Sequence, residues 1–112
     1  MYADILDQYA KLQTSIPDAC WISFNYSIMG EGLTHIESFQ LDDDSPAIII
    51  LKDFILLVCK QHSYDFEGSI SAYIVGIINF IENRIAFNIS ILRESLLTPL
   101  PIFESIDIDL PK

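Results

Sequence analysis

The amino-acid sequence predicts an α+β fold with two layers: one antiparallel sheet of two hairpins, with the helices on one of its faces. Two observations predict this fold. Apolar residues recur at helical spacing near the N-terminus, and apolar and polar residues alternate in paired runs further along. The chain has 112 residues, of which 51% are hydrophobic, so it is large enough to bury a core as a single domain over 1–112. A two-layer arrangement buries the apolar faces of both kinds of element.

The first predicted element is an amphipathic helix from Tyr2 to Ile16, which Pro17 ends. Its apolar positions are Ile5, Leu6, Tyr9, Leu12 and Ile16. A second helix is expected from Ala47 to about His62, with Ser45-Pro46 as a favourable start. This segment is apolar on nearly every side, so sheet or a partner must cover most of it. Its isoleucine run leaves a short strand as the alternative.

Two hairpins follow from alternation. Residues 20–29 alternate, the loop Gly30-Glu31-Gly32 follows, and Leu33 to Leu41 alternates again. Ser69 to Ile81 and Arg84 to Leu92 form the second pair of runs, around Glu82-Asn83.

The C-terminal residues are expected to form a loop and then an edge element. The segment from Leu96 to Pro101 is proline-rich and resembles a loop, whereas Ile106, Ile108 and Leu110 alternate with aspartates. A short charged edge strand or an ordered tail fits that second pattern.

Catalytic and metal-binding patterns are not found in the sequence. His35 and His62 have no ligand partners at metal-site spacing, and there is no nucleophile motif or glycine-rich phosphate loop. We therefore expect no enzyme activity, no cofactor and no metal. Cys20 and Cys59 are expected to be small core residues of a reduced, cytoplasmic protein. The first residues do not resemble a secretory signal, and the longest apolar run, Phe54 to Cys59, is too short to span a membrane.

Charge is the strongest functional signal. Sixteen Asp and Glu against six Lys and Arg give a net charge of −10, which disfavours nucleic acid as a partner. Residues 31–67 carry eight acidic and two basic residues. Solubility and helix capping could explain this excess, and a calcium site at Asp42, Asp43 and Asp44 would lack the usual ligand spacing and glycine. The functional hypothesis is an acidic docking face for a positive partner. Its residues are Glu31, Glu37, Asp42, Asp43, Asp44, Asp65 and Glu67.

Two aromatic residues interleave with the last acidic pair of this face. Tyr64 and Phe66 alternate with Asp65 and Glu67, so they are candidates for the desolvated anchor of an interface. The alternative is that Phe66 is a core residue and Tyr64 a loop residue.

In composition and length, the whole chain resembles the immunity proteins of bacterial toxin systems, in particular those of contact-dependent growth inhibition. The resemblance implies a protein that binds and neutralises a basic toxin domain, with a nuclease as the expected toxin. A nuclease must be positively charged where it binds phosphate, so an acidic protein can mimic its polyanionic substrate. Two alternatives remain: an oligomeric adaptor whose second helix packs in a homodimer, and a ligand-binding domain. The ligand pocket would be lined by aromatics that include Trp21, Phe24, Tyr26 and Phe87.

Overall fold

The computed structural model describes residues 3–28, 32–38, 46–62, 64, 66, 69–93 and 100–111. Its elements are α1 (Ala3–Ser15), β1 (Trp21–Ser27), β2 (Gly32–Ser38), α2 (Pro46–Gln61), β3 (Ser69–Asn79), β4 (Arg84–Arg93) and β5 (Leu100–Asp109). The strands form one sheet in the order β2-β1-β3-β4-β5, and every neighbouring pair is antiparallel. The predicted α+β class, with both hairpins in one sheet, is confirmed.

Both helices cover the same face of the sheet. On α1, the residues Ile5, Tyr9 and Leu12 are buried, and the helix ends at Ser15, two residues before Pro17. The isoleucine run of α2 is helical, so the strand alternative is wrong. Most apolar residues of α2 are buried or half-buried, but Ile49 and Leu56 are 66% and 38% exposed. The helix is therefore covered on most of its circumference, with two exposed apolar residues.

Along β1, β4 and the end of β5, every second side chain is buried, as the alternation predicts. On β1 the residues Ile22, Phe24 and Tyr26 are buried, while those between them are more exposed. The buried residues of β4 are Ile85, Phe87, Ile89 and Ile91, and those of β5 are Ile106 and Ile108. They join the buried faces of α1 and α2 in a single core.

Gly76 occupies a crowded position at the centre of this core. It is paired with Phe24 on β1 and with Phe87 on β4. The two rings pack edge to face with their centroids 5.3 Å apart, directly over the glycine. Because a side chain at position 76 would meet both rings, the residue must be glycine for them to touch.

The β3–β4 turn is tied to both α1 and β5. Asn79 Oδ1 accepts hydrogen bonds from the N–H groups of Ile81 and Glu82, and Asn83 adopts a positive φ of 54°. The hydroxyl of Tyr9 donates to Asn83 Oδ1 at 2.9 Å. The N–H of Leu110 donates to the Asn83 carbonyl at 2.7 Å. A local turn therefore also fixes α1 and the end of β5.

The structure corrects several boundaries. Gly32 belongs to β2, where it has a φ of 78° and pairs with Ser27, and is not part of the loop. The C-terminal edge strand is not short: β5 spans ten residues and includes Leu100 and Pro101, which the sequence assigned to a loop. Pro101 is tolerated there because an edge strand needs only one side of its hydrogen-bonding groups. Residues 39–41 of the predicted second strand lie outside the described residues.

The prediction of two core thiols is half right. Cys59 is buried in α2, but Cys20 is exposed. The predicted alternation included Cys20, yet it lies at a bend one residue before β1 begins, so it does not join Ile22 and Phe24 in the core.

Candidate partner-binding surfaces

The predicted acidic face falls largely outside the described residues. Glu31, Asp42, Asp43, Asp44, Asp65 and Glu67 all lie there. The Glu37 backbone belongs to β2 and pairs with Ser23 of β1. Since β2 and β3 both run antiparallel to β1, their first residues, Gly32 and Ser69, lie at one end of the sheet, and Ser38 lies at the other end. The described residues next to the acidic segments are thus distributed over both ends of the sheet.

Both predicted anchors pack partly against the core. Tyr64 and Phe66 are half-buried after the end of α2, where the N–H of Tyr64 donates to the Cys59 carbonyl at 3.0 Å. Desolvation raises the pKa of the Tyr64 hydroxyl, and the charge of Glu104 on β5 and a hydrogen bond to its carboxylate raise it further. Tyr64 therefore links the end of α2 to the edge strand while part of its ring stays accessible.

The described acidic side chains are mostly unpaired. Within the described part of the chain, ion pairs join only Arg84 to Asp107, at 2.7 Å, and to Asp109, at 4.0 Å. The hydrogen bond from Arg84 holds the pKa of Asp107 below its ordinary value, and it raises the pKa of the Arg84 guanidinium in turn. The acids of the helix layer, such as Asp4, Asp7 and Asp53, are exposed and have no such partner. Their field is therefore directed into solvent, where it can attract a positive molecule.

The sheet face opposite the helices carries a second surface, which the sequence did not reveal. We call it the open face. No described helix lies on it, and its large apolar residues are solvent-exposed: Trp21 44%, Tyr73 38%, Val75 41%, Ile77 51% and Phe103 73%. Exposed apolar residues gathered on one face are typical of an interaction site. The signal in the sequence was β3 itself, which is apolar at almost every position instead of every second one.

Strand pairing arranges the open face in rows. Tyr73, Val75 and Ile77 lie along β3, the middle strand, and form an apolar ridge. Their partners on β1 and β4 are smaller or polar: Ser27, Asn25, Ser23, Ser90, Asn88 and Ala86. Beside the ridge, a depression of about 410 Å³ is lined by residues that include Asn88, Ser90 and Phe103. The open face therefore has a central apolar ridge, which smaller or polar side chains flank on both sides.

The four aromatic residues proposed for a ligand pocket do not share a face. Phe24, Tyr26 and Phe87 point into the core, where Phe24 and Phe87 pack against each other, whereas Trp21 lies on the open face. A pocket lined by all four does not form.

Metal-ligand clusters and membrane spans were sought over the same described ranges. They contain no group of three or more His, Cys, Asp or Glu arranged to hold a metal ion. No described helix is long and apolar enough to span a membrane. His62, half-buried at the end of α2, places its Nδ1 2.9 Å from the Val58 carbonyl.

Comparisons with protein-family models, with curated proteins and with solved structures found no match.

Proposed function

We propose that this protein acts in the bacterial cytoplasm as an immunity protein, which binds and neutralises a basic toxin domain, with a nuclease as the expected toxin. The observation that carries the proposal is the net charge of −10 on a folded domain of 112 residues. Such an imbalance opposes folding through self-repulsion, yet it would attract a basic partner at a raised association rate. A nuclease is suitable because its substrate is a polyanion.

The acidic residues would steer the toxin domain, and partly buried aromatics would hold it. Charges at the rim of an interface mainly set the association rate, whereas a few desolvated aromatic residues supply most of the binding energy. Tyr64 and Phe66 fit the second role because each is half-buried against the core and still offers an accessible part. The steering residues are the acidic residues of positions 31–67, the central segment, in which Asp42, Asp43 and Asp44 are the densest group.

The test uses the toxin domain encoded next to this protein in its own genome. The toxin is expressed with and without the protein, and growth and nucleic-acid integrity are measured. Protection by the wild-type protein is the expected result. If the neighbouring gene encodes no toxin, or if the protein neither binds nor protects, the immunity assignment is wrong.

A matched pair of charge variants tests the mechanism. One variant changes Asp42, Asp43 and Asp44 to asparagine, and its control changes Asp4, Asp7 and Asp18, which are exposed on or beside α1. Each variant loses three negative charges, so the two have the same net charge. We expect the first to slow association by about 10-fold or more at low salt and to reduce its salt dependence, and the control to change it less. Equal effects would mean that total charge matters and that the central segment is not the docking face.

A further inference from the structure

We propose that the open face is a self-association surface, on which a second copy of this chain packs sheet against sheet. This inference goes beyond the proposed function and does not depend on it. The starting observation is the apolar ridge of Tyr73, Val75 and Ile77 on the middle strand, with Trp21 and Phe103 to either side. An apolar centre with a polar surround is the usual anatomy of a protein interface.

Charge favours a second copy as the occupant. By strand register, the charged residues that the described strands place on the open face are Glu37 of the edge strand β2, opposite Ser23, and a group of three in neighbouring positions at the β4–β5 side: Arg84, Asp107 and Asp109. The centre of the face is neutral, since serine, asparagine and alanine flank the ridge. A basic partner would find nothing complementary at that centre. Two acidic copies, in contrast, can approach through a neutral surface, because salt screens repulsion between their more distant charges beyond about 8 Å.

Shape favours the same occupant. Consider a twofold axis that runs parallel to the strands between β3 and β4, so that β3 of each copy lies over β4 of the other. The strand register then places Tyr73 over Ser90 of the second copy, Val75 over Asn88 and Ile77 over Ala86. Each larger apolar side chain faces a smaller one, and the symmetry makes the match reciprocal. Aligned sheets pack in this way, with strand directions within about 30° of each other.

The size of the face is sufficient for a dimer of modest affinity. In this arrangement four strands of each copy overlap, and β2 lies beyond the other sheet. With strands about 4.8 Å apart and residues roughly 3.3 Å apart, about ten residues of β3 and β4 and about seven of β1 and β5 present a flat area of roughly 540 Å² per copy. Two copies would cover roughly 1,100 Å², which is above the ~1,000 Å² expected of a specific interface.

The alternative apolar surface is much smaller. On α2, Ile49 and Leu56 are exposed, but the charged residues Lys52, Asp53 and Lys60 share that side of the helix. Two isolated apolar residues among charges are ordinary for a protein surface. They provide a matched control for the experiment.

The experiment measures the oligomeric state of the full chain by sedimentation equilibrium over a concentration series. A reducing agent is present so that the exposed Cys20 cannot cross-link two copies. We expect a reversible dimer that strengthens with added salt. Ile77→Asp should abolish it, and Ala86→Asp provides a second disruptive variant at a small exposed residue. Ile49→Asp, the same change at an exposed isoleucine of α2, should leave the dimer intact.

A size swap tests the predicted pairing. Ile77→Ala alone should raise the dimer dissociation constant by about 10- to 100-fold, because the contact is lost at two symmetric positions. Ala86→Ile alone should also weaken the dimer, by overcrowding. The double variant Ile77→Ala with Ala86→Ile exchanges the large and small partners, so it should bind within about threefold of the wild type.

Several results would overturn the proposal. A wild-type protein that stays monomeric up to about 1 mM has no affinity of biological use at this face. Loss of the dimer in Ile49→Asp, with retention in Ile77→Asp and Ala86→Asp, would assign it to α2. A swap variant that fails to recover would refute the proposed twofold arrangement. If instead a monomeric wild type bound a basic toxin domain and Ile77→Asp removed that binding, the open face would be the toxin site.

Discussion

Replacing Gly76 with alanine should destabilise the fold, although glycine is ordinarily a weak residue in a strand. A Cβ atom at position 76 would lie 2.5 Å from Cζ of Phe24 and 2.6 Å from Cδ1 of Phe87. Both distances are far shorter than the ~3.5 Å at which non-bonded carbon atoms attract each other. Both rings are almost wholly buried. Neither can move away without disturbing its own neighbours in the core.

Two opposing effects determine how much Gly76→Ala changes the free energy of unfolding. Alanine is favoured over glycine in a strand by about 0.5–1 kcal/mol, through the lower entropy of the unfolded chain. Overpacking a core by one methyl group costs about 1–3 kcal/mol. The tight contacts to two rings place Gly76→Ala at the upper end of that range, so we expect a net loss of about 1–2 kcal/mol in the free energy of unfolding. For a domain of this size that corresponds to a decrease of roughly 4–10 °C in Tm.

Urea denaturation, followed by circular dichroism and by fluorescence of the single tryptophan, measures the effect. A double-mutant cycle with Phe24→Leu tests its cause, because leucine lacks the Cζ and Cε1 atoms that the new methyl group would meet. We expect Gly76→Ala to cost at least about 0.5 kcal/mol less in the Phe24→Leu background. Gly32→Ala is the control: its Cβ would have open space, but its φ of 78° disfavours alanine, and Phe24→Leu should not change that cost. If Gly76→Ala proved as stable as the wild type, or if the cycle showed no coupling, the packing argument would be refuted.

Three further predictions concern the thiols and Tyr9. In the native protein, a thiol reagent should modify Cys20 rapidly but modify Cys59 only on unfolding. Rapid labelling of both thiols would contradict the burial of Cys59 in α2. Burial raises the pKa of the Cys59 thiol from 9.0 to about 12 and that of the Tyr9 hydroxyl from 10.0 to about 12. The contribution of each group to the free energy of unfolding is therefore fully present below its unfolded pKa, which is 9.0 for Cys59 and 10.0 for Tyr9. As the pH rises to 12, the free energy of unfolding should fall by up to about 1.4 kcal/mol per pH unit for each group, and Cys59→Ala should remove the part that begins near pH 9. Tyr9→Phe should cost about 1 kcal/mol, since Asn83 loses its hydrogen bond donor, and an unchanged urea midpoint would show that this bond adds nothing.

By itself, the sequence determined the elements whose patterns are local. The spacing of Ile5, Tyr9 and Leu12 predicts α1, and the alternation in β1 and β4 identifies the buried residues of these strands correctly. These predictions succeed because periodicity is a property of neighbouring residues in the chain. The acidic imbalance is also visible in the sequence alone, and the proposed function depends on it.

Only the tertiary structure decided the features that depend on distant residues. The full length of β5 follows from its pairing with β4, which a loop-like sequence around Pro101 conceals. The role of Gly76 follows from a register that places Phe24 and Phe87 on either side of it. The open face was hidden because β3 is apolar on both sides, so its sequence cannot show which side the helices leave uncovered. Long-range pairing and layer packing bring together residues that no local pattern connects, and the candidate self-association surface exists only at that level.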